Sequence, residues 1–384
     1  YFGARDAGKK TNLMNYHYID DDAGLETLLK ACASAPVIAL DTEFARFNTY
    51  YPMIGLLQIG LGHDNYLLDP LPITDLSGLQ ALMKCPDTLK VVHSGSEDME
   101  VFQYWLDCVP TPIFDTQIAA AMLGIGYALS YQKLVAHFLS IDIPKGETRS
   151  DWLARPLRQS QLDYAAQDVI HLFEIYPMLA ESLAERGRVD WVLSESFKLT
   201  QDLPTKIDPD EAYLKLKGVS SLNARQLQYL RSFCAFRERE AQTRNVPRNR
   251  VVDNDELIAL ALNQVQDVAA MKGVDWIDRR AVGRHGDALA ALGIAASAVP
   301  TAELPARLMN DTAPVNKNKL DRLRRVVADQ AKQFGISPEL LSRRRDLEAI
   351  IKSDNQGRAM LPDHLLGWRE AVVGIPLLAA IGQS

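Results

Sequence analysis

The chain has 384 residues, of which 47% are hydrophobic and 24% are charged; this composition is typical of two or three folded domains and excludes a largely disordered protein. No apolar run reaches the roughly 18 residues that a membrane-spanning helix needs, and no signal peptide is apparent. We therefore expect a cytoplasmic protein. The sequence starts without a methionine, and we expect residues 1–10 to be an extraneous or mis-started segment.

The charge is distributed unevenly along the chain. The formal net charge is −7, which by itself argues against a nucleic-acid partner. Residues 1–200, however, carry −11, whereas residues 201–384 carry +4. An acidic first half and a mildly basic second half suggest that the two parts have different roles.

The first half of the sequence alternates between segments with strand-like and helix-like patterns. Short apolar runs bounded by turn residues predict strands, and apolar residues at helical spacing predict helices. This alternation predicts a mixed sheet with helices packed on it. The predicted strands are VIALDTEF, GLLQIGLG, NYLLDP, LKVVHSG and the start of PIFDTQIAAAMLG, and the predicted helices are LSGLQALMK, EDMEVFQYWL and QLDYAAQDVIHLFEIY.

The strand signals stop after about residue 200, where QDLPTKIDPDEA (201–212) is predicted to be a linker. The remaining sequence is helical and contains a weak internal repeat. The segment LQYLRSF is echoed by LDRLRRV, and a proline followed by an acidic, leucine-rich helix comes after each of them. The repeat length of about 90 residues allows each copy to form a small helical domain.

Acidic residues occupy conspicuous positions in the first half. Asp41 and Glu43 end the first apolar strand and point to the same side, because side chains alternate along a strand. Asp98 lies at the start of a helix, and Tyr164 and Asp168 share one helical face. Taken singly, these residues are also explained as a solvated strand end, a helix cap and a surface pair. Together they suggest a cation site.

Their order and spacing resemble the ribonuclease D family of the DEDD exonuclease superfamily. The family pattern is matched by DTEF (Asp41, Glu43), SGSED (Asp98) and YAAQD (Tyr164, Asp168). The stretches TYYPMIGLLQIG, LLDPLPITD, FDTQIAA and TRSDWLARPL are also similar to this family. A sister branch has a histidine five residues before the last aspartate; Asp163 stands there in this chain, which therefore resembles the tyrosine branch.

The resemblance implies a specific architecture. It implies an α/β ribonuclease H-like exonuclease domain, with a mixed sheet flanked by helices, over residues 11–203. Two all-α HRDC-like domains, which are nucleic-acid-binding helical modules, are then expected at residues 207–292 and 300–384.

The resemblance also implies a function. We expect a metal-dependent 3′→5′ exoribonuclease that releases nucleoside monophosphates and trims the 3′ ends of structured RNA such as tRNA precursors. Two divalent ions, Mg²⁺ or Mn²⁺, are the implied cofactors. Asp41 would bridge both ions, Glu43 and Asp168 would hold the first, and Asp98 would support the second. Tyr164 would orient the attacking water, because a phenol with a pKa near 10 is a poor base.

Further residues are candidates for contacts with RNA. Arg149 and Trp152, in ETRSDW, are candidates for phosphate contact and base stacking, although a surface arginine and a core tryptophan are the alternatives. Arg244, Arg248 and Arg250 cluster in TRNVPRNR within the first HRDC-like segment and could grip phosphates or form only a solvated face.

Two other functions remain open from the sequence. A 3′→5′ DNA exonuclease would use the same chemistry, and a nonenzymatic RNA-binding scaffold could retain the fold. The presence of all five motif residues argues against the scaffold. No Walker loop is present, so we expect no nucleotide cofactor. The sequence does not indicate an oligomeric state or a membrane partner.

Overall fold

The structure is a computed structural model that describes residues 15–62, 64–143, 146–147, 150–201, 203, 208–275, 277–307 and 315–382. The predicted segment 1–10 lies outside these residues, as do residues 202 and 204–207 of the predicted linker. Among the helices of the described ranges, none is long and apolar enough to cross a membrane.

A six-stranded mixed sheet organises the first half of the chain. Its spatial order is β1-β4-β3-β2-β5-β6, in which β3 and β4 are antiparallel, and the pairs β1–β4, β2–β5 and β5–β6 are parallel. The strands β3, β4 and β5 are almost entirely buried because helices cover the sheet. The strands are β1 (His17–Ile19), β2 (Val37–Ala45), β3 (Met53–Gly60), β4 (Asn65–Leu68), β5 (Leu89–Val92) and β6 (Ile113–Asp115).

The helices follow the sheet and then continue alone. Those interleaved with the strands or directly following them are α1 (Asp22–Cys32), α2 (Ser77–Lys84), α3 (Ser96–Leu106), α4 (Thr116–Met122), α5 (Tyr131–Leu139), α6 (Gln159–Ala184) and α7 (Val189–Lys198). Those of the second half are α8 (Ala224–Arg244), α9 (Asn254–Leu262), α10 (Val268–Lys272), α11 (Arg279–Ala298), α12 (Lys317–Phe334), α13 (Pro338–Leu341), α14 (Arg344–Asn355) and α15 (Ile375–Ile381).

The mixed α/β sheet and the all-helical second half are confirmed. Each strand and helix proposed from the first half has a counterpart in the structure, with ends that differ by a few residues. The helix cap at α4 illustrates the local cause. Asp115 ends β6, and its carboxylate accepts hydrogen bonds from the backbone amides of Gln117 and Ile118, so the chain turns directly from strand into helix.

The chain forms two compact units that cut across the predicted domain boundaries. The first unit comprises the described residues of Tyr1–Phe44, Ile54–Asp202 and Asn318–Ser384. The second comprises those of Ala45–Met53 and Leu203–Lys317. The second helical repeat thus belongs to the same unit as the sheet, whereas the connection from β2 to β3 belongs to the same unit as the first helical repeat.

A buried ion pair joins the C-terminal helices to the rest of the first unit. Glu195 on α7 accepts two hydrogen bonds from Arg369, and the Arg369 side chain is only 1% exposed. Trp368 also donates to Glu195 and stacks on Trp191, with ring centroids 4.9 Å apart. Burial alone would raise the pKa of Glu195, but the hydrogen bonds and charge of Arg369 outweigh it and lower that pKa to about 2.

We predict that Glu195→Gln lowers the free energy of unfolding by about 3 kcal/mol at neutral pH, because it leaves the Arg369 charge buried without its partner. The wild-type ion pair contributes fully above the ordinary glutamate pKa of 4.5 and loses its contribution as the pH falls towards about 2. The difference between wild type and variant should therefore shrink by roughly half near pH 3.

Denaturant unfolding followed by tryptophan fluorescence at the two pH values measures this difference. Glu348→Gln is the matched control, because Glu348 pairs with Arg344, whose side chain is 70% exposed, and such surface pairs contribute little. Equal stability of Glu195→Gln and wild type at neutral pH would contradict the prediction.

Candidate active site

Three carboxylates from two elements converge in the first unit. Asp41 and Glu43 leave β2 on the same side of the strand, and Asp168 projects from α6. One carboxylate oxygen from each residue lies within 4.8 Å of the others. Clustered carboxylate oxygens suit hard divalent cations such as Mg²⁺ or Mn²⁺, so this donor set could hold a divalent metal ion.

Asp98 is near this group but has its own partner. It is the third residue of α3, and its Oδ1 accepts a hydrogen bond from the hydroxyl of Thr42, the residue between Asp41 and Glu43 on β2. Its side chain is buried, and its charge contributes to the raised pKa values of Asp41 and Glu43. The structure therefore places Asp98 beside the cluster, although it is not one of the three closely grouped ligands.

The cluster has abnormal acid–base properties because it combines burial with like charges. Burial, followed by the charges of the neighbouring aspartates, raises the pKa of Asp41 and of Glu43 well above the ordinary values. Burial raises the pKa of Asp168 to about 8. Burial also raises the pKa of Asp98 to about 6, against the opposing hydrogen bond from Thr42. A bound cation would relieve this repulsion.

Tyr164 lies on the same face of α6 as Asp168, as the spacing of the two residues predicts. Both line a cavity of about 120 Å³ that Asp41 also lines. Burial, together with the charge of Asp168, raises the pKa of Tyr164 above its usual range, so its phenol stays protonated. The ring lies so close to Gly146 that a Cβ at that glycine would come within 2.2 Å of a ring carbon. Only glycine leaves room for the ring here.

The cavity contains residues that the sequence did not single out as functional. Tyr131, Gln132 and Leu172 complete its lining. The Tyr131 hydroxyl, on α5, lies 2.6 Å from the backbone carbonyl oxygen of Asp168 and holds that turn of α6. The sequence gives no signal for this contact, because a tyrosine in an amphipathic helix is usually a packing residue.

His93 also lines the cavity, and its hydrogen bonds indicate a structural role. Its Nε2 donates to the carbonyl oxygen of Leu129 at 3.1 Å, and its Nδ1 lies 2.9 Å from the Thr116 hydroxyl. Burial lowers the pKa of His93. Both ring nitrogens thus have hydrogen-bond partners, and these contacts hold the connection between β5 and α3 in place.

Trp152 is a core residue, which agrees with the core alternative left open by the sequence and argues against a stacking role. Its side chain is 2% exposed and packs with Leu56 and Ala165. Arg155 holds this segment in place by donating to the Trp152 carbonyl oxygen at 2.8 Å and by pairing with Asp69. An apolar ring that fills the space between sheet and α6 cannot also stack on a nucleotide. Arg149 lies outside the described residues.

The three arginines of the TRNVPRNR cluster all have partners within the second unit. Arg244 pairs with Glu240, and Arg250 donates to the side chain of Asn48 at 2.7 Å. Arg248 donates to Glu238 and lies over the ring of Tyr50. All three side chains therefore stabilise the second unit through intramolecular contacts.

Comparison with protein families and known proteins agrees with this geometry. Residues 16–184 match a family model described as 3′–5′ exonuclease, and residues 226–292 match the HRDC domain model. Ribonuclease D of Pseudomonas paraeruginosa is 40% identical over 96% of this chain and 98% of its own length. Ribonuclease D of Escherichia coli K12 is 33% identical over 93% of this chain and 96% of its own length.

A solved structure resembles this one over nearly its whole length. The crystal structure of E. coli RNase D, described as an exoribonuclease involved in structured RNA processing, has a TM-score of 0.89 and 32% identity. The match covers 96% of this chain and 99% of that chain. These similarities, together with the carboxylate cluster on an exonuclease sheet, establish that the chain belongs to the ribonuclease D family and is a 3′→5′ exoribonuclease.

Proposed function

We propose that Asp41, Glu43, Asp98 and Asp168 hold two divalent metal ions and that Tyr164 positions the attacking water for phosphodiester hydrolysis. The observation that carries this proposal is the approach of Asp41, Glu43 and Asp168 to within 4.8 Å at a cavity that Tyr164 also lines. Two ions would supply positive charge to the attacking and leaving oxygens. Mg²⁺ and Mn²⁺ both fit an all-oxygen donor set.

The side chains have separate tasks in this proposal. Asp41 would bridge the two ions, with Glu43 and Asp168 on the first, and Asp98 would exchange its hydrogen bond from Thr42 for a role in holding the second. Tyr164 keeps its proton, so its hydroxyl orients water and does not act as a base. Tyr131 would maintain the position of Asp168 through the backbone of α6.

The proposed substrate is RNA with an accessible 3′ end, and the proposed products are nucleoside monophosphates. In the cell, the substrate would be a structured RNA such as a tRNA precursor. The description of the E. coli relative supports this assignment, as does the HRDC domain at residues 226–292. We further propose that the helical segment 300–384 is a diverged second HRDC-like domain. Arg149, Arg244, Arg248 and Arg250 remain candidates for phosphate contacts, and a cytoplasmic location is likewise proposed.

The first prediction about the proposed activity concerns the direction of degradation, the preference for RNA over DNA and the requirement for a divalent metal ion. With Mg²⁺ or Mn²⁺, 5′-labelled RNA should shorten progressively from its 3′ end, whereas 3′-labelled RNA should release labelled mononucleotide from the start. Chelator should stop both reactions, and matched DNA should be degraded more slowly. A gel time course measures all three properties. Equal rates on DNA and RNA would favour the DNA exonuclease, and persistence of cleavage in chelator would contradict the metal assignment.

A second prediction concerns the metal-binding carboxylates. Asp41→Asn should abolish hydrolysis, because it removes the ligand shared by both ions, while RNA binding largely survives. Mg²⁺ or Mn²⁺ should raise the melting temperature of the wild type, since binding to the folded state relieves carboxylate repulsion, but should hardly change that of the variant. Asp142→Asn, at an exposed position, is the control. A variant that keeps near-normal turnover would remove Asp41 from the site.

A third prediction isolates Tyr164. Tyr164→Phe should slow the single-turnover rate about 10- to 100-fold, because the water loses one orienting contact while the metal ligands remain. The melting temperature and RNA affinity should stay close to wild type. Tyr127→Phe, at a tyrosine that is 50% exposed, provides the comparison. An unchanged single-turnover rate would exclude Tyr164 from the reaction.

A further inference from the structure

The connection between β2 and β3 is a structured part of the second unit. Asn245, at the end of α8, accepts hydrogen bonds from the backbone amides of Tyr50 and Tyr51 at 3.1 and 3.0 Å. The Arg248 guanidinium lies 4.5 Å from the centre of the Tyr50 ring and donates to the Tyr50 hydroxyl at 2.8 Å. The conformation of Ala45–Met53 is therefore fixed by α8 and the residues that follow it.

This fixed segment exposes one large aromatic side chain. Phe47 is 80% exposed, the highest value among the exposed large hydrophobic residues of the described chain. A single exposed apolar residue is ordinary on a protein surface. Phe47, however, sits on a segment that is held by hydrogen bonds on its C-terminal side, so the ring is presented from a fixed backbone at little additional entropic cost.

A polar pocket of about 350 Å³ lies in the second unit, and the residue that precedes Phe47 in the chain lines it. Its lining includes Arg46, the residue before Phe47, together with Arg248 and Asn249 from the turn after α8. Arg237 also lines it, and Asp253 is its acidic lining residue. Arginine guanidinium groups and an amide are suitable partners for phosphate oxygens.

The charge of this pocket favours an anion. Three arginines line it against one aspartate. The buried Glu238 accepts hydrogen bonds from Arg237 and Arg248 and neutralises part of their charge, but the Arg248 side chain remains 41% exposed. Phe47 directly follows Arg46, which lines this pocket. Proteins that bind single-stranded nucleic acid combine aromatic side chains, on which bases stack, with cations that contact the phosphates.

We infer that Phe47 is a base-stacking platform and that the adjoining pocket lined by Arg46, Arg248 and Asn249 binds backbone phosphate, so that together they form a subsite for single-stranded RNA. The inference rests on the proposed RNA substrate and adds a binding position on the second unit. Phe47 follows Glu43 by four residues in the sequence.

The test measures binding by the full chain in chelator, so that hydrolysis does not interfere. A short, unstructured, fluorescein-labelled RNA is the probe, and anisotropy gives Kd. Phe47→Ala should weaken binding about 10- to 100-fold, the range expected from loss of one stacked base. Phe47→Trp should retain affinity, whereas Phe47→Leu, which is apolar but cannot stack in the same way, should behave like the alanine variant.

Two controls separate stacking from general effects. Ile294→Ala, at a side chain of the same unit that is 56% exposed, should change Kd less than about twofold, as expected for an unrelated surface position. A 2-aminopurine base scanned along the RNA should change its emission on binding at one position, and Phe47→Ala should abolish that change.

The phosphate part of the subsite has a different signature. Arg46→Ala should reduce the slope of log Kd against log salt concentration by about 0.7, because one fewer phosphate is neutralised, whereas Phe47→Ala should leave the slope unchanged. A Kd for Phe47→Ala within about twofold of wild type would overturn the stacking role. An unchanged Kd for Phe47→Ala would leave the proposed function intact, provided that the wild type still degrades RNA in the presence of metal. If Phe47→Ala weakens binding but the wild type shows no metal-dependent hydrolysis, the proposed function fails instead.

Discussion

Repulsion between buried carboxylates is the constraint on which the active site depends. Burial raises the pKa of Asp41, Glu43 and Asp168, and the charge of Asp168 raises the pKa of Asp41 and Glu43 further. Such an arrangement costs stability and persists only on rigid elements. The inner strand β2 and the long helix α6 provide that rigidity, and the contacts of Tyr131 and Arg155 hold α6 and the segment before it.

The sequence predicted the parts of this site that depend on local periodicity. The alternation along β2 placed Asp41 and Glu43 on one side, and the spacing on α6 paired Tyr164 with Asp168. The close contact between Gly146 and the Tyr164 ring could not be predicted, because the two residues lie in different segments and no local sequence pattern shows that these segments meet. The burial of Trp152 was equally hidden, because ETRSDW reads the same whether its ring faces solvent or α6.

Charge patterns were the least informative part of the sequence. The arginines in TRNVPRNR suggested a phosphate-binding face, yet Arg248 is held by Glu238, which lies ten residues earlier in α8. A run of like charges does not reveal which of its members already have partners in the fold. The exposed Phe47 was missed for a related reason, since an aromatic residue after a buried strand is normally expected to be buried as well.

The assignment of Asn318–Ser384 to the same compact unit as the sheet makes the first helical repeat an insertion within a discontinuous domain. Residues of this unit are therefore synthesised both before and after the inserted repeat. A chain that ended before Asn318 would leave Glu195 of the first unit without its buried Arg369 partner.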